Sequence, residues 1–180
     1  MATKKTVKKT AKKAAKKAVK KTAKKELPPR VEKQKLPVGK GPITYTTSNT
    51  FKASVSKVWD AATKREHLIK YFLDDMRGSF DKPGTVEWYW KEWGWMPVEV
   101  VKYVKNKELV IQAQEMMGGK YKTTIRYEIL RKDNKTIFRV HESGYRSKDL
   151  KSAFMMCEGW TEFHCYLKAH LMGVDLRKAG

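Results

Sequence analysis

The chain has 180 residues and a formal net charge of +21, and this charge is unevenly distributed. Residues 1–40 contain 16 lysine or arginine residues and two glutamates, so most of the excess charge lies in less than a quarter of the chain. No stretch approaches the ~18 apolar residues of a membrane-spanning helix, and no apolar run or cleavage site follows the basic N-terminus. The sequence therefore predicts no membrane span, no secretion and no organelle import. The length predicts one compact domain with an appendage.

The lysine repeat at the N-terminus is the first segment of the chain. Pairs of lysines recur every four residues, separated by Thr, Ala and Val. The ammonium groups repel one another, and a four-residue period drifts by ~40° per repeat around a helix, so no apolar stripe forms. We therefore predict that residues 1–25 are disordered. The lysines expected to contact phosphates are Lys4, Lys5, Lys8, Lys9, Lys12, Lys13, Lys16, Lys17, Lys20, Lys21, Lys24 and Lys25.

This repeat resembles the lysine-rich tails of linker histones and of bacterial histone-like proteins. Each lysine that meets a phosphate releases a counterion, and the residue types present cannot read base edges. We interpret the segment as a DNA- or RNA-binding tail without sequence preference, in a cytoplasmic protein associated with the nucleoid. Two alternatives are a charge run that maintains solubility and adhesion to an anionic membrane surface.

A proline-containing linker follows over residues 26–42. It holds four of the six prolines and shows no periodic pattern. Pro28 and Pro29 favour an extended conformation, so a semi-stiff linker is predicted. The folded domain is expected to begin near Ile43 and to extend to residue 175.

Alternating and β-branched residues predict about six strands in this domain. Their predicted bounds are Thr44–Phe51, Thr85–Lys91, Trp95–Tyr103, Glu108–Met116, Tyr121–Arg131 and Thr136–Tyr145. Short polar connections between the last five strands indicate an antiparallel meander. After the first strand, Ser54 or Ser56 can cap a short helix, and a second short helix follows through Phe72.

The last predicted element is a long helix over Lys148–Met172. Its apolar residues recur at intervals of three and four, which is typical of one buried helix face. They are Ala153, Met156, Cys157, Trp160, Phe163, Leu167 and Leu171. Gly159 interrupts the helix, and we expect a close approach of the helix to the sheet there. A long helix across a curved antiparallel sheet predicts an α+β fold with one core.

The segment FKASVSKVWDAATKREHL, residues 51–68, resembles the opening of the START/Bet v 1-like (SRPBCC) superfamily. Within it, the match is closest to domains similar to the C-terminal domain of the activator of the Hsp90 ATPase. Lys105–Val110 is similar to the turn before their fourth strand, and Glu158-Gly159-Trp160 looks like their C-terminal helix motif. The resemblance covers residues 43–175 and implies a helix-grip fold, often with a cavity between the long helix and the sheet. Tyr71 departs from the pattern, because a Trp is usual there.

Given this resemblance, we expect aromatic and methionine residues to line such a cavity. Trp88 and Trp90 share one face of a strand, and the methionines are adaptable enough for a varied apolar pocket. The candidate ligand-binding residues are Trp88, Trp90, Met116, Met155, Met156 and Trp160. The alternatives are ordinary core packing, or an aromatic platform for a partner or for stacked bases.

The sequence contains no recognisable catalytic arrangement. His164 and Cys165 point to different sides of the helix, and Cys157 and His164 lie about two turns apart. The two cysteines are ~12 Å apart along the axis, too far for a disulfide, which fits a reduced compartment. His141 and Glu142 face opposite sides of a strand. We therefore predict no catalytic residue, no metal site, no cofactor and no enzymatic activity.

The leading hypothesis is a non-enzymatic binding protein. Its START-like domain would hold an apolar small molecule or a protein partner, and its tail would tether it to nucleic acid. A second hypothesis is a co-chaperone-like domain that binds another protein through its sheet, near Lys102, Lys105 and Lys107. A third is an enzyme of the cyclase or hydrolase kind, with a cavity acid such as Glu87 or Glu99 pointing inward.

Overall fold

A computed structural model describes residues 35–178 of the chain. The predicted disordered tail, its lysines and the linker up to residue 34 lie outside the described residues. The elements are, in chain order, β1 (Gly41–Phe51), α1 (Val55–Thr63), α2 (Arg65–Tyr71), β2 (Asp75–Arg77), β3 (Gly84–Trp90), β4 (Gly94–Val104), β5 (Glu108–Gln114), β6 (Lys122–Lys132), β7 (Lys135–Gly144) and α3 (Leu150–Leu171). The 3-10 turns Ser147–Asp149 and Leu176–Lys178 precede and follow α3.

The strands form one antiparallel sheet in the order β1-β7-β6-β5-β4-β3-β2. Two short helices follow β1, and the long helix α3 follows β7. This architecture confirms the predicted helix-grip α+β fold. The sheet has seven strands rather than about six, because β2 is only three residues long and two of them, Asp75 and Arg77, are polar. A segment that short shows no alternation from which a strand could be predicted.

The core lies between the sheet and α3. Alternate residues of β5, β6 and β7 are buried, as the two-residue period of a strand requires. From α3, Trp160, Phe163 and Leu167 pack against them and are at most 2% exposed. Full burial of a large apolar side chain stabilises the fold by about 1.5–3 kcal/mol. This packing fixes α3 across the sheet.

The helices begin and end close to their predicted positions. Ser54 caps α1, because its Oγ accepts a hydrogen bond from the backbone N–H of Lys57 at 3.3 Å. The long helix α3 spans 22 residues, against a prediction of Lys148–Met172. Between residues 35 and 178, no helix is both long enough and apolar enough to cross a membrane.

The folded domain starts earlier than predicted. Gly39 N–H donates to Lys122 O at 2.7 Å, and Lys122 N–H donates to Pro37 O at 2.8 Å. At Gly39, an added Cβ would lie 2.3 Å from Gly144 O, and at Gly41 it would lie 1.9 Å from Tyr145 O. Glycine therefore allows residues 37–41 to pack directly on the sheet. The end of the predicted linker is part of the domain.

The antiparallel register gives the sheet two distinct ends. One end holds the β3–β4 and β5–β6 connections and the first residue of β1. We call it the cavity end, because the cavity described below lies beside it. The other holds the β4–β5 and β6–β7 turns and the last residue of β1. We call it the basic end, after the lysines of those turns.

Candidate ligand-binding cavity

A cavity of about 770 Å³ lies between α3, β3 and the β5–β6 connection. Its wall contains seven aromatic and four methionine residues, namely Tyr71, Phe72, Trp88, Trp90, Trp93, Trp160, Tyr166, Met116, Met117, Met155 and Met156. All six ligand-binding candidates of the sequence analysis are among them. The structure therefore brings together residues from three distant segments of the chain on one surface.

The aromatic wall is built by the alternation of β3. Trp88 and Trp90 both point toward α3, and their rings lie 5.8 Å apart at 84°. Phe72 packs edge to face against Trp90 at 5.6 Å, and its backbone carbonyl accepts the Trp90 indole N–H at 3.0 Å. Edge-to-face pairs of this kind stabilise each other by about 0.5–1.5 kcal/mol. Trp88 is only 4% exposed, so its side chain is part of the core and also forms the floor of the cavity.

The methionines form the opposite side of the wall, and their side chains are more adaptable than the aromatic rings. Met116 and Met117 follow β5, whereas Met155 and Met156 lie on the first turns of α3. Glu115 joins these two segments. Its Oε2 accepts the Gly119 backbone N–H at 2.6 Å, and its Oε1 accepts the Ser152 hydroxyl of α3. This buried carboxylate holds the β5–β6 connection against α3 beside the cavity.

Gly159 does not have the role predicted from the sequence. We expected a close approach of helix and sheet, but a Cβ added at Gly159 would find nothing within 4 Å. Gly159 instead lines the cavity. Its missing side chain leaves space on the face of α3 that looks toward the tryptophans. Met156, which also lines the cavity, is therefore only half-buried rather than a core residue, and Cys157 is half-buried as well.

Trp160 is held in the wall by a buried carboxylate that was not predicted from the sequence. Its indole N–H donates to Glu142 Oε2 at 2.8 Å. The other Glu142 oxygen accepts the hydroxyls of Thr123 and Tyr145, each at 2.7 Å. Tyr45 donates its hydroxyl to Oε2 as well. Four donors thus satisfy a carboxylate that is 1% exposed.

The protonation of the tyrosines fits this arrangement. Burial, followed by the negative charge of Glu142, raises the pKa of the Tyr45 and Tyr145 hydroxyls far above the usual range. Both hydroxyls therefore remain donors at neutral pH. One sequence signal was available, because Glu142 lies two residues from Val140 on the buried face of β7.

The charged residues of the cavity lie at its rim. Arg177 donates to Leu73 O at 3.1 Å and lies 3.6 Å from an Asp74 carboxylate oxygen, so its charge is neutralised. Glu158 and Glu162 are exposed, and no cation among residues 35–177 lies within ion-pair distance of either. The rim therefore carries a net negative charge in a strongly basic chain.

A sequence model of the family described as Activator of Hsp90 ATPase homolog 1-like protein matches residues 52–172. The match spans about two thirds of the chain and includes the whole aromatic wall. The chain belongs to this family. No curated protein matches the chain.

Solved structures share the fold of this family member. Protein MLL2253 from Mesorhizobium loti superposes with a TM-score of 0.66 at 16% sequence identity, over 74% of this chain and 99% of that chain. Protein SSP2350 from Staphylococcus saprophyticus superposes with a TM-score of 0.63 at 16% sequence identity, over 74% of this chain and 95% of that chain. The Aha1 dimer from Colwellia psychrerythraea superposes with a TM-score of 0.61 at 23% sequence identity, over 71% of this chain and 94% of that chain. Identities this low establish the fold alone.

The two acids considered for a cavity enzyme do not face the cavity of this family domain. Glu87 is buried, but it alternates with Trp88 and lies on the opposite face of β3, 3.9 Å from Arg77. Glu99 is also on that outer face and pairs with Lys122 at 2.6 Å. The expectation that either acid points inward is wrong, because the register of β3 and β4 directs both outward.

None of the histidines among residues 35–178 lines the cavity, although His170 stacks on the wall residue Tyr71 at 5.0 Å. His164 is buried and hydrogen-bonds Thr47 at 3.1 Å, and burial lowers its pKa to about 4. His67 and His170 form a second pair, with Nδ1 and Nε2 3.0 Å apart. In the part of the chain that the structure describes, no group of three or more His, Cys, Asp or Glu residues is placed to hold a metal ion.

A second hollow of about 320 Å³ lies beside the cavity, toward the outer side of β4 and β5. It shares Trp93 and Met116 with the larger cavity, so these two side chains form a partition between the two spaces. Trp93 is 69% exposed at this point. The lip of the cavity is thus formed by an aromatic ring with few neighbours.

Proposed function

We propose that this protein is a non-enzymatic binding protein whose domain holds an apolar, flat small molecule in the cavity beside α3. The observation that carries the proposal is a space of about 770 Å³, open to solvent on one side and lined mainly by aromatic and methionine side chains. Small-molecule sites commonly occupy about 300–1,000 Å³ and have mainly apolar walls. The cavity falls within that range.

The construction of the wall supports a ligand rather than a packing defect. Protein cores are close-packed, and each apolar void lowers stability through lost contacts. Gly159 keeps open a space that a larger residue would fill, at a cost of about 1 kcal/mol relative to alanine in a helix. The hydrogen bond from Trp160 to Glu142 fixes the roof in place. A site prepared in this way loses little entropy when it binds.

The wall also defines the chemistry of the ligand. Rings such as Trp88, Trp90 and Trp160 stack with flat aromatic molecules, whereas methionines adapt to the shape of the remainder. Glu158 and Glu162 at the rim repel anions. We therefore expect neutral or cationic flat molecules to bind more tightly than anionic ones of the same size.

The test is a titration of the full chain with Nile red, a neutral flat dye, followed by its fluorescence. Gly159→Leu places a side chain in the cavity and should weaken binding by about tenfold or more. Gly159→Ala is the matched control and should stay within about threefold of the unmodified protein. Equal dye affinity in all three proteins would show that the dye binds elsewhere and would refute the cavity proposal.

The second part of the proposal concerns the tail, which we propose tethers the protein to DNA or RNA in the nucleoid. Its support is the run of twelve lysines between Lys4 and Lys25 without an acidic residue. Replacing these lysines by glutamine in the full chain should greatly reduce affinity for duplex DNA and flatten the dependence on salt. Unchanged affinity and salt dependence would refute this part.

A second candidate function is binding of a chaperone ATPase, and the family match favours it. Lys102 is paired with Glu108, so Lys105 and Lys107 are the lysines at this turn that could meet an acidic partner. A purified Hsp90-type ATPase should then bind the full chain, and its activity should rise. Lys105→Glu with Lys107→Glu should abolish both effects, and no binding by the unmodified chain would exclude this function.

A further inference from the structure

The basic end of the sheet concentrates exposed cations that lie far from the tail in sequence. The residues are Lys52, Lys105, Lys107, Arg131, Lys132 and Lys135. Lys52 directly follows β1, Lys105 and Lys107 lie in the β4–β5 turn, and the other three flank the β6–β7 turn at the end of β6 and the start of β7. All six are exposed. We call this group the basic-end cluster.

The register of the sheet makes the cluster continuous. Lys132 and Lys135 are paired directly across the β6–β7 turn. Thr136, next to Lys135, pairs with Phe51, which precedes Lys52. On the other side, Ile129 N–H donates to Lys107 O at 3.2 Å and joins the β4–β5 turn to β6. The strands β1, β7, β6, β5 and β4 are adjacent, so the cluster extends over about 19 Å.

Nearby acids do not neutralise the cluster. Glu108 is engaged by Lys102 and by Arg126 at 3.6 Å, and the Lys102 ammonium holds the pKa of this carboxyl below its usual range. Within residues 35–178, no carboxylate lies within ion-pair distance of any cluster member. Asp133 is the one acidic residue of the two turns, and it occupies the position with φ of 54°.

This arrangement is unfavourable for the isolated domain. Like charges directly opposite each other on paired strands, such as Lys132 and Lys135, destabilise the pair. A polyanion would remove that repulsion, and duplex DNA presents one phosphate per ~1.7 Å of its axis. A surface about 19 Å across can therefore meet several phosphates at once.

We infer that the basic-end cluster is a second nucleic-acid site, built by the folded domain and separate from the lysine tail, that contacts the phosphate backbone. Acidic protein surfaces fit less well, because protein interfaces are depleted in lysine and enriched in aromatic residues. The exposed aromatic side chains of residues 35–178, Trp93 and Phe154, lie on the β3–β4 turn and on α3, outside the cluster. The inference extends the nucleic-acid part of the proposed function but depends on residues outside the tail.

The experiment uses the full chain and a mixed-sequence duplex, with fluorescence anisotropy at several potassium chloride concentrations. The cluster variant carries Lys105→Gln, Lys107→Gln, Lys132→Gln and Lys135→Gln. The matched control variant has the same net charge but carries its substitutions elsewhere on the domain surface. These are Lys70→Gln, Lys120→Gln, Lys148→Gln and Lys151→Gln. Thermal unfolding of each protein checks that the fold is intact.

The cluster variant should lose about 3–4 units of salt slope and bind at least about tenfold more weakly at moderate salt. The control variant should lose less than about threefold in affinity. Equal losses in the two variants would show that only net charge matters and would overturn the inference. In the variant whose twelve tail lysines are replaced by glutamine, displacement of the duplex by polyglutamate at equal charge concentration would also overturn it, in favour of an acidic protein partner.

A further variant, with the twelve lysines between Lys4 and Lys25 replaced by glutamine and called the tail variant, separates this inference from the proposed function. If the tail variant loses binding and the cluster variant does not, the tail proposal stands and the second site is refuted. If the cluster variant loses binding and the tail variant does not, the second site stands and the tail proposal is refuted. Amide chemical shifts provide an independent reading, because duplex addition should shift residues 104–108 and 131–136 in the tail variant. Unchanged shifts there would refute the second site.

Discussion

The two ends of one sheet have opposite physical characters. At the cavity end, tryptophan and methionine side chains surround a space of about 770 Å³ and the rim is negative. At the basic end, the six residues of the basic-end cluster lie side by side, and none is within ion-pair distance of a carboxylate among the described residues. The strands between them are packed to below 5% exposure at most inward positions. The well-packed middle of the sheet therefore provides most of the stability of the domain, and the features at the two ends reduce it.

That difference indicates where to look for function in this fold. A void and a cluster of like charges both lower stability, but by different means: lost contacts in one case and repulsion in the other. Such features persist when another molecule completes them, and stabilising substitutions at functional positions commonly reduce activity. Substitutions that relieve the void or the repulsion should therefore raise stability without strengthening binding.

The largest effect is expected at Glu142, beneath the cavity wall. Glu142→Leu removes the acceptor of four buried donors, so the free energy of unfolding should fall by about 3–5 kcal/mol. Urea unfolding measures the change. Glu142→Gln keeps one carbonyl acceptor and should lose clearly less. A loss below about 1 kcal/mol in Glu142→Leu would mean that this carboxylate does not hold the wall.

The next effect concerns His164, which lies between the two ends. Burial lowers its pKa from 6.5 to about 4, so the unfolded chain takes up a proton over that interval and the folded chain does not. Stability should therefore be complete above pH 6.5 and fall by up to about 3 kcal/mol as the pH decreases to 4. In His164→Gln this part of the decline should disappear, as urea unfolding at several pH values would show. Parallel pH profiles for the two proteins would contradict the prediction.

A smaller effect, an increase in stability, is expected at the cavity end from Gly159→Ala. The added methyl group meets nothing within 4 Å, and alanine is favoured over glycine in a helix by about 1 kcal/mol. The melting temperature should rise while Nile red affinity stays nearly constant. A fall in stability would mean that α3 approaches the sheet more closely than the structure shows.

The smallest effect is expected at the basic end. Lys132→Glu places an opposite charge across from Lys135, so the free energy of unfolding should rise by about 0.5 kcal/mol. Affinity for duplex DNA should fall in the same variant. Lys120→Glu is a control on the β5–β6 connection and should change stability less. Equal stability changes in the two variants would indicate that pairing across the turn has no effect.

Much of the fold could be predicted from local patterns. The alternation around Trp88 and the spacing of Trp160, Phe163 and Leu167 identified a strand and a helix face that the structure confirms. β2 could not be predicted, because its pairing with β3 stabilises it and its three residues carry no pattern of their own. The start of the domain was missed because Gly39 acts through contacts with residues about 100 positions away.

The candidate cavity was predictable in part. The six residues chosen for a cavity wall all line it, since a helix-grip fold brings the inward face of β3 opposite α3. The hydrogen bonds of Glu142 could not be foreseen, because their donors come from β1, β6 and α3 as well as from the residue after β7. The basic-end cluster likewise depends on which turns share an end of the sheet. Long-range register is the information that a single sequence lacks.

The placement of the tryptophans has a spectroscopic consequence. Four of the six tryptophans line the cavity, while Trp59 donates to Tyr103 at 3.2 Å and Trp95 lies under Arg77 at 3.9 Å, both outside it. Trp88 and Trp90 are close enough, at 5.8 Å, for their excited states to couple and give a paired circular-dichroism signal. A molecule in the cavity would change the surroundings, and with them the emission, of these four tryptophans, and leave Trp59 and Trp95 as an internal reference. The protein therefore carries its own optical reporter of occupancy, with no added label.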